Sequence, residues 1–284
     1  MAEFLDSGII LINKPVGVSS NRVANIVKHT LGAKKCGHLG TLDLEGEGLL
    51  PVTINGATRL FDFFLNKDKT YETVFQFGIL TDTLDASGHI LAEKTCDITK
   101  EQVEDVAKSM IGKQLQMPPQ YSAKKVGGKT AYKAARSGEK IDLSAKEIEI
   151  FDIRVLDQLD KNLFKLEISC SSGTYIRSIA RDVGEKLSTY GIMQSILRTK
   201  CGRFNIKDAY TLDEFKNGKF EILPCDSVFD FEKLVLSKSA EEKLLNGVIL
   251  DFEQKDGKYC VYGTKFLGVG EIKEKKLKLN LRLI

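Results

Sequence analysis

The run GHLGTLDLEGEGLLP, residues 37–51, sets one aspartate, Asp43, among four glycines, with Glu45 and Glu47 close behind it. A carboxylate in such a loop has three uses. It can cap a turn, because aspartate readily hydrogen-bonds its own backbone two residues on. The glycines could instead cradle a phosphate with their N–H groups, but the acids on this loop repel an anion. Third, the carboxylate can act as a nucleophile or a base. Two further residues favour that use. Arg177 lies in SSGTYIRSIARD, where a strand gives way to a helix start, and a guanidinium beside Asp43 would hold it ionised and oriented. Tyr71, in KTYETVFQF, stands at the start of a strand and offers an aromatic face. Carboxylate, guanidinium and phenol need no metal and no cofactor. Each also has a structural use when taken singly: a turn aspartate, a core tyrosine, a surface helix arginine.

Other chemistries are poorly supplied. Gly128-Lys129-Thr130 has the ending of a nucleotide-binding P-loop, but Ala123 stands where that motif requires glycine, and QMPPQYS is no apolar strand. Six cysteines and three histidines are scattered with no Cys-x-x-Cys pair, so no zinc spacing exists and no metal is implied.

Of the 284 residues, 42% are hydrophobic and 29% charged, the balance of a folded globular chain with one large domain or two. The net charge is only +3, but its distribution is uneven. Residues 124–140 hold Lys124, Lys125, Lys129, Lys133, Arg136 and Lys140 against the single acid Glu139. Such a patch suits a polyanion; a solvated helix face is the plainer alternative. The N-terminal MAEFLDSGIILIN carries Glu3 and Asp6 and only a short apolar run, which does not make a signal peptide. No apolar stretch reaches the roughly 20 residues that cross a bilayer. The expectation is a soluble, cytoplasmic protein.

The elements that must position these residues follow from the hydrophobic pattern. Residues 9–12 read as a strand, and Ser19, Ser20 and Asn21 can cap a helix with Val23, Ile26, Val27 and Leu31 on one face. Residues 49–54, 71–79 and 164–170 read as strands, 81–88 as a turn, and 99–111 and 175–187 as helices. Strands and helices mix without a regular βαβ rhythm, which points to α+β. Beyond about residue 230 a short helix at 239–245 precedes glycine-separated strands KYCVYGT, FLGVGEI and KLKLNLRLI, as in a small β-barrel-like module.

Several stretches together resemble the bacterial TruB family of tRNA pseudouridine synthases. They are LINKPVGVSSN, GHLGTLDLEGEGLLPV, KTYETVFQFGILTDTLDASG, PPQYSAKKVGGKTAYKAARSGEKI, CSSGTYIRSIARDVGEKL and LRTKCGRFNIKDAYTL, which occur in the family's order across most of residues 9–212. The resemblance implies a pseudouridine synthase catalytic fold, a mixed and largely antiparallel sheet with flanking helices, over residues 1–230. It implies an RNA-gripping insertion near 116–145 and a short PUA-like RNA-binding module at 231–284. Asp43 would be the catalytic aspartate, Arg177 its partner, and Tyr71 the ring that packs on the target base. Tyr175 and Leu197 would line the uridine pocket. His38 would fill the space that the base leaves in the T-loop. Lys14, Lys124, Lys125, Lys129, Lys133 and Arg136 would serve RNA binding, Lys14 only in support. The implied reaction is isomerisation of uridine 55 in the tRNA T-loop, by a monomer, without cofactor or guide RNA; a tRNA-folding chaperone with dispensable catalysis is the alternative. One departure stands out. The family loop continues Leu-Asp-Pro-x-Ala-x-Gly, whereas this one reads Leu42-Asp43-Leu44-Glu45-Gly46-Glu47-Gly48, losing a proline and an alanine that restrict the backbone.

Overall fold

The computed structural model describes residues 7–65, 67–121, 125–126, 129–130 and 143–283, with backbone alone at 65, 125–126 and 129–130. The chain opens with β1 (Gly8–Lys14), whose apolar run lies buried between neighbours. Helix α1 (Ser20–Leu31) follows. Ser19 caps it by accepting from the Arg22 N–H, and Gly32, at φ 63°, stops it. A short β2 (Cys36–His38) and the long β3 (Glu47–Ile54) flank the Asp43 loop. Next come α2 (Phe61–Leu65), β4 (Lys69–Phe77) and the hairpin of β5 (Ile79–Thr81) with β6 (Ile90–Glu93). Helix α3 (Lys100–Ser109) begins in a capping box between Thr99 and Gln102 and leads to β7 (Gly112–Gln116). A two-residue hairpin, β8 (Lys125–Val126) and β9 (Lys129–Thr130), lies within the basic segment. Then β10 (Lys146–Asp160), β11 (Leu163–Cys170), α4 (Ile176–Lys186) and β12 (Gly191–Cys201) complete the working part of the chain.

One large sheet carries most of these strands. Its order includes β1-β3-β12-β4-β11-β10-β7, with Tyr210–Thr211 beyond β1. Pairing is antiparallel except where β12 meets β3 and where Tyr210–Thr211 meets β1. The α+β reading and the largely antiparallel sheet match this architecture. Strict alternation in β4 and β11 sends Phe75, Phe77, Phe164 and Leu166 inward, where they meet Val103 and Ala107 of α3 and Ile179 and Val183 of α4. On another part of the sheet Val23 and Val27 of α1 pack on Ile10, Ile12, Leu50 and Val52. Among the described residues no helix is long and apolar enough to cross a membrane.

The register places four site residues in one row. Lys14 pairs with Gly48, Gly48 with Arg198, and Arg198 with Tyr71. Gly48 has φ 104°, and a Cβ there would stand 2.5 Å from the Arg198 carbonyl oxygen. Only glycine lets β3 and β12 meet at that point.

From Glu232 to Arg282 a second sheet of five strands surrounds Leu234, Val261, Leu267 and Leu277. Its end strands, Glu232–Val235 and Leu250–Asp251, are short and do not pair with each other. It also shares a core with the rest of the chain. Phe63 of α2 meets Phe229 at 4.8 Å, Phe64 stacks on Phe204 at 5.5 Å, and Phe229 meets Phe266 at 6.3 Å. The Arg59 guanidinium donates to the Arg282 carbonyl at 2.6 Å.

Gly48→Ala adds both a strained positive φ and a clash, each costing about 1–3 kcal/mol. Urea unfolding should therefore show a loss of about 3 kcal/mol; an unchanged midpoint would contradict the close β3–β12 contact.

Candidate active site

The loop at residues 39–46 is held from several sides. The Ser20 hydroxyl exchanges hydrogen bonds with Leu42, accepting from its N–H and donating to its carbonyl, both at 2.9 Å. Gly17 N–H donates to the Leu44 carbonyl at 2.9 Å, and the Lys14 ammonium reaches the same oxygen at 3.4 Å. Arg198 donates through Nη2 to the Gly40 carbonyl at 3.1 Å and through Nε to the Leu49 carbonyl at 2.7 Å. Both neighbours of Asp43 in the chain are thus pinned. These bonds supply constraint that the absent proline does not. Gly46 closes the turn by donating to the Asp43 carbonyl at 3.1 Å, and a Cβ at Gly46 would come within 3.3 Å of Ile196.

With its backbone fixed, Asp43 turns a half-exposed carboxylate toward Arg177, whose Nη2 lies 2.8 Å from Oδ2. That guanidinium stands near the start of α4 and is almost fully buried. Its Nη1 donates to the Thr83 carbonyl at 3.0 Å and meets Asp85 Oδ2 at 3.3 Å, and Nη2 also donates to the Tyr121 carbonyl at 3.1 Å. Asp85 is in turn fixed through Oδ1, which accepts from the hydroxyls of Thr83 (2.7 Å) and Ser87 (2.6 Å). A planar fork with fixed donors orients its partners more tightly than an ammonium would.

These groups border a cavity of about 350 Å³ lined also by Tyr71, Tyr175, Lys69, Met193, Ile196, Arg198 and the α2 residues Phe61 and Phe64. Burial pushes the Tyr71 phenol above its ordinary range, and the Arg198 charge beside it pulls the other way. Lys69 donates to the Lys67 carbonyl at 2.6 Å and to Ser172 Oγ at 3.0 Å; burial lowers its pKa. The arrangement offers a carboxylate for attack or proton removal, a phenol, and an apolar wall for a planar ring. Among the described residues no cluster of His, Cys, Asp and Glu could hold a metal ion.

Sequence reasoning anticipated Asp43, Tyr71, Arg177 and Tyr175, and the fold brings them together. Leu197 is absent from the cavity lining; it falls between Ile196 and Arg198, and strand alternation sends it to the other face. His38 stands on β2 outside the cavity, its Nε2 3.2 Å from Asn21 Oδ1. Lys14 is a correction. It is 0% exposed and caps the carbonyls of Pro15 (2.9 Å) and Val18 (2.7 Å) as well as that of Leu44, so it braces the loop and cannot touch RNA. Lys124, Lys133 and Arg136 lie outside the described residues, and of Lys125 and Lys129 only the hairpin backbone is described. Asp85, Lys69 and Arg198 went unremarked as site residues. Asp85 was hidden in TDTLDASG, which reads as turn chemistry.

Residues 28–176 match the TruB family pseudouridylate synthase N-terminal domain. The chain belongs to the TruB family. Whole-chain likeness agrees: it is 34% identical over 276 residues to tRNA pseudouridine synthase B of Caldanaerobacter subterraneus subsp. tengcongensis, covering 95% of this chain and 97% of the relative. Its identity to the Francisella philomiragia protein of the same name is 37% over 283 residues, 95% and 93% of the two chains. In fold it is similar to a chain of a Cbf5-Nop10-Gar1 complex, with a TM-score of 0.72 at 21% identity, covering 98% of this chain and 85% of that one. As a TruB family member the protein is an isomerase, and its fold is that of the pseudouridine synthases.

Two expectations follow from the geometry of this TruB family site. Asp85→Ala leaves Arg177 short of one buried partner and should cost about 3 kcal/mol in urea unfolding; a change near zero would show that Asp43 and the carbonyls of Thr83 and Tyr121 suffice for the guanidinium. His38 is held below its ordinary value of 6.5, first by burial and then by the Arg198 charge. A lowered pKa means that below about pH 6.5 the unfolded chain binds the proton more readily, so this contribution to stability is lost as pH falls. His38→Asn should therefore lose less stability than the native chain between about pH 7.5 and 5.5, and parallel pH curves for the two would refute the assignment.

Proposed function

We propose that the protein converts uridine 55 in the T-loop of tRNA to pseudouridine, as a monomer in the cytoplasm, without guide RNA. The observation that carries this is the 2.8 Å contact of Arg177 with Asp43 at the mouth of a cavity walled by Tyr71. It is supported by whole-chain relatives named tRNA pseudouridine synthase B. The reaction breaks the bond from C1′ to N1 and joins C1′ to C5; the proton leaving C5 is balanced by one gained at N1. No atom is gained overall, so neither redox partner nor energy source is required.

The residues divide the work as follows. Asp43 supplies the carboxylate that attacks the nucleoside or removes a proton from it. Arg177 keeps that group oriented through the change in charge. A base stacked inside a T-loop is out of reach, so it must turn out of the stack at a cost of a few kcal/mol. Stacking against Tyr71 offsets roughly 1–3 kcal/mol of this. Residues 1–230 form the catalytic part in this reading, the insertion near 116–145 grips the T-arm through phosphate contacts, and 231–284 is a PUA-like RNA-binding module.

An unmodified T-arm stem-loop tests the proposal. The native protein should form pseudouridine, and Asp43→Asn should slow it by about a thousand-fold or more while still binding the RNA. Equal product from both would remove Asp43 from the chemistry. Tight binding without product from either would favour the chaperone reading.

A further inference from the structure

Among the described residues Arg198 is the largest side chain sealed inside the protein, only 1% exposed. The ion pairs of the site run to Arg177; among the described residues Arg198 makes none. A buried charge without a counter-charge is unfavourable unless it is hydrogen-bonded, and here two of the guanidinium nitrogens are held by backbone. Nε holds Leu49, at the start of β3 past the loop, and Nη2 holds Gly40, on the side of the loop next to β2. Nη1 faces Gly40, where a Cβ would stand 3.5 Å away. The same side chain stands beside Tyr71, its register partner across the sheet, and both border the cavity.

We infer that Arg198 is the positioning residue of the reaction: one guanidinium ties both ends of the Asp43 loop to the strand position beside Tyr71, and so sets the separation of carboxylate and phenol. This rests on the roles proposed above for Asp43 and Tyr71. Lysine keeps the charge at this position but cannot hold both carbonyls in the fixed directions of a guanidinium fork. An apolar side chain would fill the space and hold neither end of the loop.

The test uses the full-length protein and a T-arm stem-loop. Single-turnover rate at saturating RNA, RNA dissociation constant and thermal unfolding are measured for Arg198→Lys, Tyr71→Phe and the double variant, with Asp43→Asn as the control. Arg198→Lys should lose about a hundred-fold in rate, the penalty of a small misplacement of reacting groups, with RNA affinity unchanged. The two single losses should be strongly non-additive, since both remove one linked arrangement. If Arg198→Lys does not fold, Arg198→Met, of similar length and without a buried charge, takes its place. A native rate for the folded variant, losses that simply multiply, or a rate loss matched by loss of affinity or of folded protein would each overturn the inference. Full activity in Asp43→Asn would instead sink the underlying reading, and the two failures are told apart by that control.

Discussion

Asp43 carries its negative charge at the mouth of a cavity that the proposed substrate, itself a polyanion, has to enter. The fold meets this conflict with cations placed behind the carboxylate. Lys14, Lys69, Arg177 and Arg198 all lie at least nine-tenths buried around the loop and the cavity. Charges that are withdrawn from water act on their neighbours through a lower effective dielectric than surface charges do. Two of them, Lys14 and Arg198, donate to carbonyl oxygens and not to carboxylates, so their hydrogen bonds do not cancel their charge. Arg177 alone is shared between acids, Asp43 and Asp85. The site therefore holds one ionised oxygen pair toward the cavity inside a field that favours anions.

Placing those cations is the work of the sheet. In-register residues on adjacent strands share a face, and the row from Lys14 through Gly48 and Arg198 to Tyr71 uses this to gather groups from four strands without a long loop. A one-residue slip in β12 would turn Arg198 to the other face. The cavity beside these strands is also walled by α2, through Phe61 and Phe64. Phe64 also belongs to the core that the C-terminal strands complete. The wall of the cavity is thereby tied to a part of the chain that starts some distance away in sequence.

Much of this could be read from the residues alone, and what could not has physical reasons. Asp43, Tyr71 and Arg177 stand in runs whose glycines and polar neighbours mark them out, and α1, β4, β11 and α4 show clean periodicity. Strand β12 does not. Its pairing with β4 shifts register between Met193 and Ser195 and again between Arg198 and Lys200, which breaks the alternation that would reveal a strand and hides Arg198 with it. Asp85 performs turn chemistry with one oxygen and meets Arg177 with the other, and spacing shows only the first. Lys14 follows an apolar strand and precedes a proline, as a surface lysine would; its burial comes from carbonyls that converge only in three dimensions. The second sheet begins at Glu232, close to the composition change near residue 230, yet the shared core is invisible, because Phe63 and Phe229 are brought together only by folding.

The clamp on the Asp43 loop has a consequence for how the protein comes into being. Ser20 and Lys14 reach the loop across 22 and 30 positions, whereas Arg198 reaches Gly40 across 158 and Arg177 reaches Asp85 across 92. Domains assemble as the chain leaves the ribosome, N-terminal contacts first. The aspartate is thus synthesised early and lightly tethered, and its orienting arginines arrive only after β11 has emerged. A growing chain surrounded by ribosomal and transfer RNA carries an unassembled centre for most of its synthesis. In the proposed reaction the carboxylate therefore lacks its orienting arginines until most of the chain has been made.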